Sequence, residues 1–186
     1  MAGRNALLLT DQPAVIDTCV LINLLATNRI DEIVQVISPC RFVCPAVFQE
    51  SLYLRSAEPA SQPEAVDLNP LFDQDIFTRC AIDGDVEEEL YVSYALELDD
   101  GEAMSIAIAQ ARNLALATDE KKARRLIQEN VPALSLLSTS QILHTWAQAH
   151  EQAEIATVIT LIHSRARFRP SPTDPLAAWW ETMLLP

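Results

Sequence analysis

Glycine is scarce in this sequence, with 3 residues among 186. The Walker phosphate loop and the dinucleotide-binding loop both need several glycines at fixed spacing, and neither motif occurs. No apolar run is long enough to span a bilayer, and the short run at 7–9 is soon broken by Pro13, so neither a membrane segment nor a signal peptide is predicted. These absences argue against nucleotide-loop enzymes and predict a cytoplasmic protein without membrane partners.

Other common catalytic arrangements are lacking too. The histidines, His144, His150 and His163, have no metal-ligand spacing with one another, and no Ser-His-Asp or Cys-His arrangement is supported. Cys40 and Cys44 are spaced like half of a zinc site, but no second Cys or His pair follows at suitable distance. We therefore expect the four cysteines to be free thiols in a reducing compartment.

Positive charge is in short supply: 13 Lys and Arg stand against 26 Asp and Glu, for a net charge of -13. Taken alone, this balance argues against nucleic-acid binding, which depends on Lys and Arg. The basic residues are nevertheless clustered, at Lys121, Lys122, Arg124 and Arg125 and again at Arg165, Arg167 and Arg169. A local phosphate-binding edge is one interpretation of the first cluster, and a solvated helix face is the other. An ordinary helix end is the favoured interpretation of the second.

Short apolar runs alternate with helical patterns along the chain. Buried strands are predicted at 14–16, 42–44, 76–82, 114–117 and 134–137, with helices between them and after them. The strands show little alternation, so a three-layer α/β/α sandwich with a short, mostly parallel central sheet is predicted. One domain is expected over 1–186, with a core at about 14–140 and a helical C-terminal extension at about 141–186.

Three finer predictions belong to this element pattern. The helix that begins at Pro45 is expected to reach Tyr53, and the proline-bearing stretch 57–70 is expected to be a surface loop. The helix at 86–98 is expected to present an acidic outer face at Glu87, Glu88 and Glu89.

Carboxylates occur where predicted strands meet helices. Asp17 and Asp119 each follow a buried strand directly, Glu102 lies in the first turn of the helix before the Asp119 strand, and Glu50 lies in the helix after the second strand. Ligands of open parallel sheets bind outside the carboxyl ends of the strands, so these four acids can face one crevice. Mg²⁺ or Mn²⁺ would neutralise them, lower the pKa of a bound water and stabilise a leaving oxygen. This chemistry is phosphodiester hydrolysis without a covalent protein intermediate.

Each acid also has a purely structural interpretation. Asp17, Asp99 and Thr118 are good helix N-caps, and Asp99 with Glu102 fits a capping box. The structural interpretation of Glu50 is a solvent-exposed residue on its helix. The joint placement of the acids at one edge of the sheet is what favours a site.

Several motifs resemble those of the PIN-domain family. Residues 15–21, Val-Ile-Asp-Thr-Cys-Val-Leu, look like the family's opening strand and helix, whose first catalytic acid sits in an Asp-Thr or Asp-Ser step. Residues 98–107, with Gly-Glu-Ala, and residues 117–124, with Thr-Asp-Glu-Lys, resemble a bacterial and archaeal branch that includes VapC-like toxin ribonucleases. The segment 45–50 is similar to the one that bears the second acid. Together the resemblance covers roughly 14–140.

The resemblance implies a metal-dependent ribonuclease, often the toxin of a toxin–antitoxin pair. It implies Asp17, Glu50, Glu102 and Asp119 as catalytic residues, with Asp17, Glu102 and Asp119 as Mg²⁺ or Mn²⁺ ligands. Thr18 and Thr118 would add hydroxyls near the metal, and Glu120 would join or replace Asp119. Lys121, Lys122, Arg124 and Arg125 would contact RNA.

Other functions compete with this one. A DNA- or structure-specific nuclease would use the same site, and a non-catalytic PIN-fold scaffold would agree with the strong negative charge. A small-molecule phosphatase is disfavoured, because no Asp-x-Asp pair follows the first strand. Trp179 and Trp180 are most simply core or interface residues, and an exposed apolar tail would suit a homodimer or an antitoxin contact.

Overall fold

The structure is a computed structural model and describes residues 8–49, 53–56 and 62–184. The strands are β1 (Ala14–Ile16), β2 (Arg41–Val43), β3 (Tyr53–Leu54), β4 (Glu64–Ala65), β5 (Thr78–Arg79), β6 (Ala115–Ala117) and β7 (Leu136–Leu137). The helices are α1 (Thr18–Leu25), α2 (Ile30–Ile33), α3 (Pro45–Gln49), α4 (Asn69–Asp73), α5 (Asp85–Ala95), α6 (Asp100–Ala111), α7 (Lys121–Asn130), α8 (Thr139–Ala147), α9 (Gln152–Leu161) and α10 (Ala177–Leu184). A 3₁₀ turn (Val34–Val36) follows α2, and a π-helical turn (Ile162–Ala166) follows α9.

Five strands form one sheet in the order β5-β2-β1-β6-β7. Every neighbouring pair in this sheet is parallel. β1 and β6 are in register, with Ile16 opposite Ala117. The residues that follow these two strands therefore emerge side by side at the carboxyl edge. β3 and β4 form a separate antiparallel pair.

Alternate residues of the central strands pack into two different cores. Ile16 and Ala117 belong to a core shared with α1, α8, α9 and α10, whereas Val15 and Leu116 belong to a core shared with α6 and α7. Because successive side chains of a strand point to opposite faces, each face of the sheet carries its own layer of helices. The predicted α/β/α sandwich with a parallel central sheet is confirmed.

Local capping fixes where the helices around the carboxyl edge begin. Asp17 accepts a hydrogen bond from the Thr18 N–H at the start of α1, and Asp99 accepts one from the Glu102 N–H at the start of α6. Ser138 forms a capping box with Gln141 at the start of α8. Each cap satisfies an amide that the helix cannot use internally.

Three sequence-based predictions about local structure were wrong. Tyr53 lies in β3, not in the helix that begins at Pro45. The stretch predicted as a loop contains β4 and the first residues of α4, although 57–61 are outside the described residues. Glu87 is not on an outer face: it is 6% exposed, because Arg112 packs against it and holds it through two hydrogen bonds.

The C-terminal helices belong to the fold and do not form an exposed tail. Trp180 is fully buried in the same core as Ile16 and Ala117. Arg165 is also buried and pairs with Glu64 at 2.6 Å, so this member of the second basic cluster is structural. Along the described ranges, no helix combines the length and the apolar character needed to cross a bilayer.

Candidate functional site

Asp17 is the most enclosed of the described acids at the carboxyl edge of the sheet, with 3% of its surface exposed. Its Oδ1 accepts the Thr18 N–H at 2.8 Å, and its Oδ2 accepts the Thr118 hydroxyl at 2.7 Å and the Cys19 thiol at 3.2 Å. Burial raises the pKa of Asp17, and these three donors counter only part of that effect. Asp17 is thus both the α1 cap and a candidate reactive carboxylate.

Asp119 is held by groups from two other elements. Asn23 of α1 donates to its Oδ2 at 3.1 Å, and Thr139 of α8 donates its hydroxyl to Oδ2 at 2.5 Å and its N–H to Oδ1 at 3.0 Å. Desolvation by burial raises the pKa of Asp119, while these donors and the nearby charge of Arg124 lower it. The carboxylate, which follows β6, is therefore fixed in place by α1 and by the start of α8.

Cys19 connects the two aspartates. Its Sγ donates to Asp17 Oδ2, accepts the Asp119 N–H at 3.2 Å and lies 3.6 Å from the Thr118 Oγ1. Burial, with the neighbouring negative charges of Asp17 and Asp119, raises the pKa of the Cys19 thiol. The thiol is consequently a neutral donor and a packing element, not a nucleophile.

Glu102 is half-buried and feels several negative neighbours. Desolvation first, and then the negative charges of Asp99, Asp17 and Glu120, raise its pKa to about 7. Asp99 also raises the pKa of Asp17, although it serves as the α6 cap. Asp17, Asp99, Glu102 and Glu120 therefore share one electrostatic environment, which is the behaviour of an acid cluster that lacks a counter-charge.

The remaining predicted site residues divide into three groups. Glu50 lies outside the described residues. Thr118 bonds to Asp17 and does not cap α7, because Glu120 takes that cap position by accepting the Lys122 N–H. The Thr18 hydroxyl is buried and has no hydrogen-bond partner within the described ranges.

The four basic residues of α7 have different environments. Arg124 donates to the carbonyls of Thr118 and Leu137, so it ties together the ends of β6 and β7. Lys122 donates to the Glu97 carbonyl. Lys121 and Arg125 are exposed and line a cavity of about 400 Å³ beside Asp119.

A divalent cation fits the chemistry of the donor set. Asp17, Glu102 and Asp119 offer only oxygen atoms, the ligands that Mg²⁺ and Mn²⁺ prefer. Burial is the first cause of the raised pKa of each acid, and a bound cation would favour their charged forms. The described residues do not gather three His, Cys, Asp or Glu side chains tightly enough to hold an ion by themselves. A bound metal would therefore keep several waters, as Mg²⁺ usually does.

Sequence reasoning missed three residues that position the aspartates: Cys19, Asn23 and Thr139. Asn23 is buried, and it also donates to the Thr139 hydroxyl at 3.1 Å. Two signals were visible in the sequence. Asn23 interrupts the apolar run of α1, and Thr139 lies two positions after the last strand, as Thr18 does after β1.

Comparison with known proteins identifies the family of the chain. No curated protein and no solved structure matches the chain. A family model described as PIN domain matches residues 13–174, which include every strand of the sheet and all the acids described above. The chain therefore belongs to the PIN-domain family.

Proposed function

We propose that this protein is a metal-dependent endoribonuclease. PIN domains are generally nucleases, and the family match therefore supports a hydrolase that acts on nucleic acid. The observation that carries the proposal is the position of Asp17 and Asp119 after neighbouring parallel strands, joined through Cys19 and Thr118. Glu102 shares their electrostatic environment.

Asp17, Glu102 and Asp119 would hold the metal, which is Mg²⁺ or Mn²⁺ in this proposal. When bound, such an ion supplies a Lewis acid that activates water and stabilises the leaving oxygen of a phosphodiester. The chain's own contribution is orientation. Thr118 fixes one oxygen of Asp17, while Asn23 and Thr139 fix Asp119, so the carboxylates need little rearrangement.

Two cations near this cluster are suited to a polyanionic substrate. Lys121 and Arg125 are exposed at the edge of the cavity that contains Asp119. They would attract phosphates locally even though the net charge of the chain is -13. Lys122 and Arg124 are also proposed as RNA contacts. Because both already donate to backbone carbonyls, their contribution to RNA binding is secondary.

Metal binding is the first test. We would titrate Mn²⁺ into the wild type, Asp119→Asn and the exposed-acid control Glu89→Gln by calorimetry. We expect saturable binding in the wild type and the control, and binding that is weakened at least tenfold in Asp119→Asn, since one charged ligand is lost. Equal binding in all three proteins would contradict the assignment of Asp119.

Cleavage is the second test. We would incubate labelled single-stranded RNA and DNA of the same sequence with Mn²⁺ and each of these proteins. We expect internal cuts in RNA that Asp119→Asn abolishes and Glu89→Gln keeps. Cleavage of DNA alone would replace the ribonuclease assignment with the alternative of a DNA- or structure-specific nuclease.

The biological setting follows from the Gly-Glu-Ala and Thr-Asp-Glu-Lys motifs at 101–103 and 118–121. Their resemblance to toxin ribonucleases supports the toxin of a toxin–antitoxin pair, with an antitoxin partner and homodimer formation as parts of the same proposal. We expect expression to arrest growth and Asp17→Asn to relieve the arrest. Arrest that persists in Asp17→Asn would favour the non-catalytic scaffold, which the excess of acidic residues also supports.

A further inference from the structure

The segment after α9 crosses the candidate site. We call residues 166–175 the C-terminal strap. It begins in the π-helical turn and ends just before α10, and its residues line two cavities next to Asp119. None of the motifs that resemble the PIN family lies in this segment.

The strap is held firmly on the body of the protein. The Phe168 ring packs edge-on against the buried Trp180 at a centroid distance of 5.3 Å. Arg169 donates two hydrogen bonds to the carboxylate of Glu181, and Asp174 accepts the Ser140 hydroxyl at 2.7 Å. The strap is therefore a preformed wall and does not need a ligand to order it.

The two cavities meet at Asp119. One, of about 400 Å³, lies between the strap and α7 and includes Arg125 and Ser138. The other, of about 410 Å³, lies between the strap and α1 and includes Asn23 and Arg167. Asp119, Lys121, Phe168 and Arg169 border both. Each cavity has the size of a small-ligand pocket, too small for a duplex.

Exposed cations flank Asp119 on both sides. Lys121, Arg125 and Arg167 are exposed, and their side chains form no hydrogen bond or ion pair with the described parts of the chain. Arg169, by contrast, is already paired with Glu181. Arg167 ends the π-helical turn in the left-handed region, with φ 59°, a conformation in which helices commonly end.

We propose that the strap and α7 form a groove for one continuous nucleic-acid strand that crosses Asp119, and that Arg167 binds a backbone phosphate on the α1 side of it. Arg125 binds a phosphate on the opposite side. The inference rests on the proposed nuclease function and adds to it the path of the substrate strand and a phosphate-binding residue, Arg167. A strand that continues past Asp119 in both directions would contact the cations on both sides of this carboxylate. Cleavage is therefore internal and does not need a free strand end.

The test is binding of a fluorescein-labelled single strand, measured by anisotropy in EDTA over a series of salt concentrations. RNA and DNA of one mixed sequence, about twelve nucleotides long, span the groove. Arg167→Asn removes the charge and keeps a residue that tolerates positive φ. We expect it to weaken binding roughly three- to tenfold and to lower the slope of log K against log salt by about 0.7.

Two controls make the result specific. Arg167→Lys keeps the charge and should keep the salt slope. Arg79→Gln removes one charge from β5, at the edge of the sheet opposite β7, and should leave the affinity and the salt slope unchanged. Thermal unfolding confirms that each variant is folded. If RNA binds more tightly than DNA, the groove also contacts the 2′-hydroxyl.

Two results would overturn the groove. In the first, Arg167→Asn binds both strands with the wild-type affinity and slope. In the second, the wild type binds neither strand at low salt. The Mn²⁺ titration and the cleavage assay decide the nuclease function separately, so either failure is distinguishable from the failure of that function.

Discussion

The Thr118 hydroxyl donates a 2.7 Å hydrogen bond to Asp17 Oδ2 across 101 positions of sequence. The contact arises because β1 and β6 are parallel neighbours in register, so the residues after Ile16 and Ala117 leave the sheet together. A threonine at this position supplies a short, buried donor where a carboxylate would otherwise be poorly solvated.

Replacing Thr118 with valine tests this contact. Thr118→Val keeps the shape of the side chain and leaves Asp17 Oδ2 with only the weak Cys19 thiol donor. We expect the free energy of unfolding to fall by about 1–3 kcal/mol, the usual cost of unpairing a buried polar group. Urea denaturation measures it. Thr157→Val, an exposed control on α9, should change stability by less than about 0.5 kcal/mol.

Asn23 provides a second test, directed at Asp119. Asn23→Leu removes both the donor to Asp119 and the donor to Thr139. We expect the free energy of unfolding to fall by about 1–3 kcal/mol. We also expect the Mn²⁺ affinity to fall roughly ten- to a hundredfold, the range found when residues that hydrogen-bond to metal ligands are removed. Asn130→Ala, at the exposed end of α7, is the control. Unchanged Mn²⁺ affinity in Asn23→Leu would show that Asp119 does not depend on this support.

The pKa of Glu102 predicts how the metal-free protein responds to pH. The folded-state pKa of about 7 lies above the ordinary 4.5, so folding favours the protonated acid. Stability contributed by this group is present at low pH and is lost as pH rises from about 4.5 to about 7. We expect the Tm in EDTA to fall across this window and Glu102→Gln to flatten the fall. A wild-type profile identical to that of Glu102→Gln would contradict the raised pKa.

Glu87 predicts the opposite pH response. Its hydrogen bonds with Arg112 lower its pKa, so the stability it contributes is present above the ordinary carboxyl pKa and is lost as pH falls. Glu87→Gln leaves Arg112 without its anion, and we expect about 1–2 kcal/mol of destabilisation at neutral pH, because Glu87 is buried but Arg112 stays in contact with solvent. Glu88→Gln, the exposed neighbour, should change stability by less than about 0.5 kcal/mol. Equal effects would contradict the burial of Glu87.

The sequence predicted the features that depend on local pattern. Apolar runs that end in Asp17 and before Asp119 identified β1, β6 and the edge of the sheet where these acids meet. The strand predicted at 76–82 is present as β5, but over two residues only. The β3–β4 pair was not predicted, because two-residue strands in a polar stretch leave no periodicity. Glu87 looked solvated, because its burial depends on Arg112, a residue 25 positions away.

Contacts between side chains that are far apart in the sequence could not be predicted from sequence patterns. Cys19 was predicted only as a free thiol, yet it contacts Asp17 and the backbone of Asp119. Asn23 reaches Asp119 over 96 positions. Such contacts follow from register and helix placement together, and neither can be obtained from a single sequence at the accuracy of a hydrogen bond.

The burial of Trp180 has a consequence for the order in which the chain is completed during synthesis. All five strands of the sheet, with Asp17, Glu102 and Asp119, are encoded before residue 138, whereas the strap rests on a tryptophan more than forty positions later. Because proteins are made from the amino end, a nascent chain can assemble its carboxylates before the basic wall exists. On the ribosome, the acids and α7 are therefore made before the strap that forms the other wall of the proposed groove.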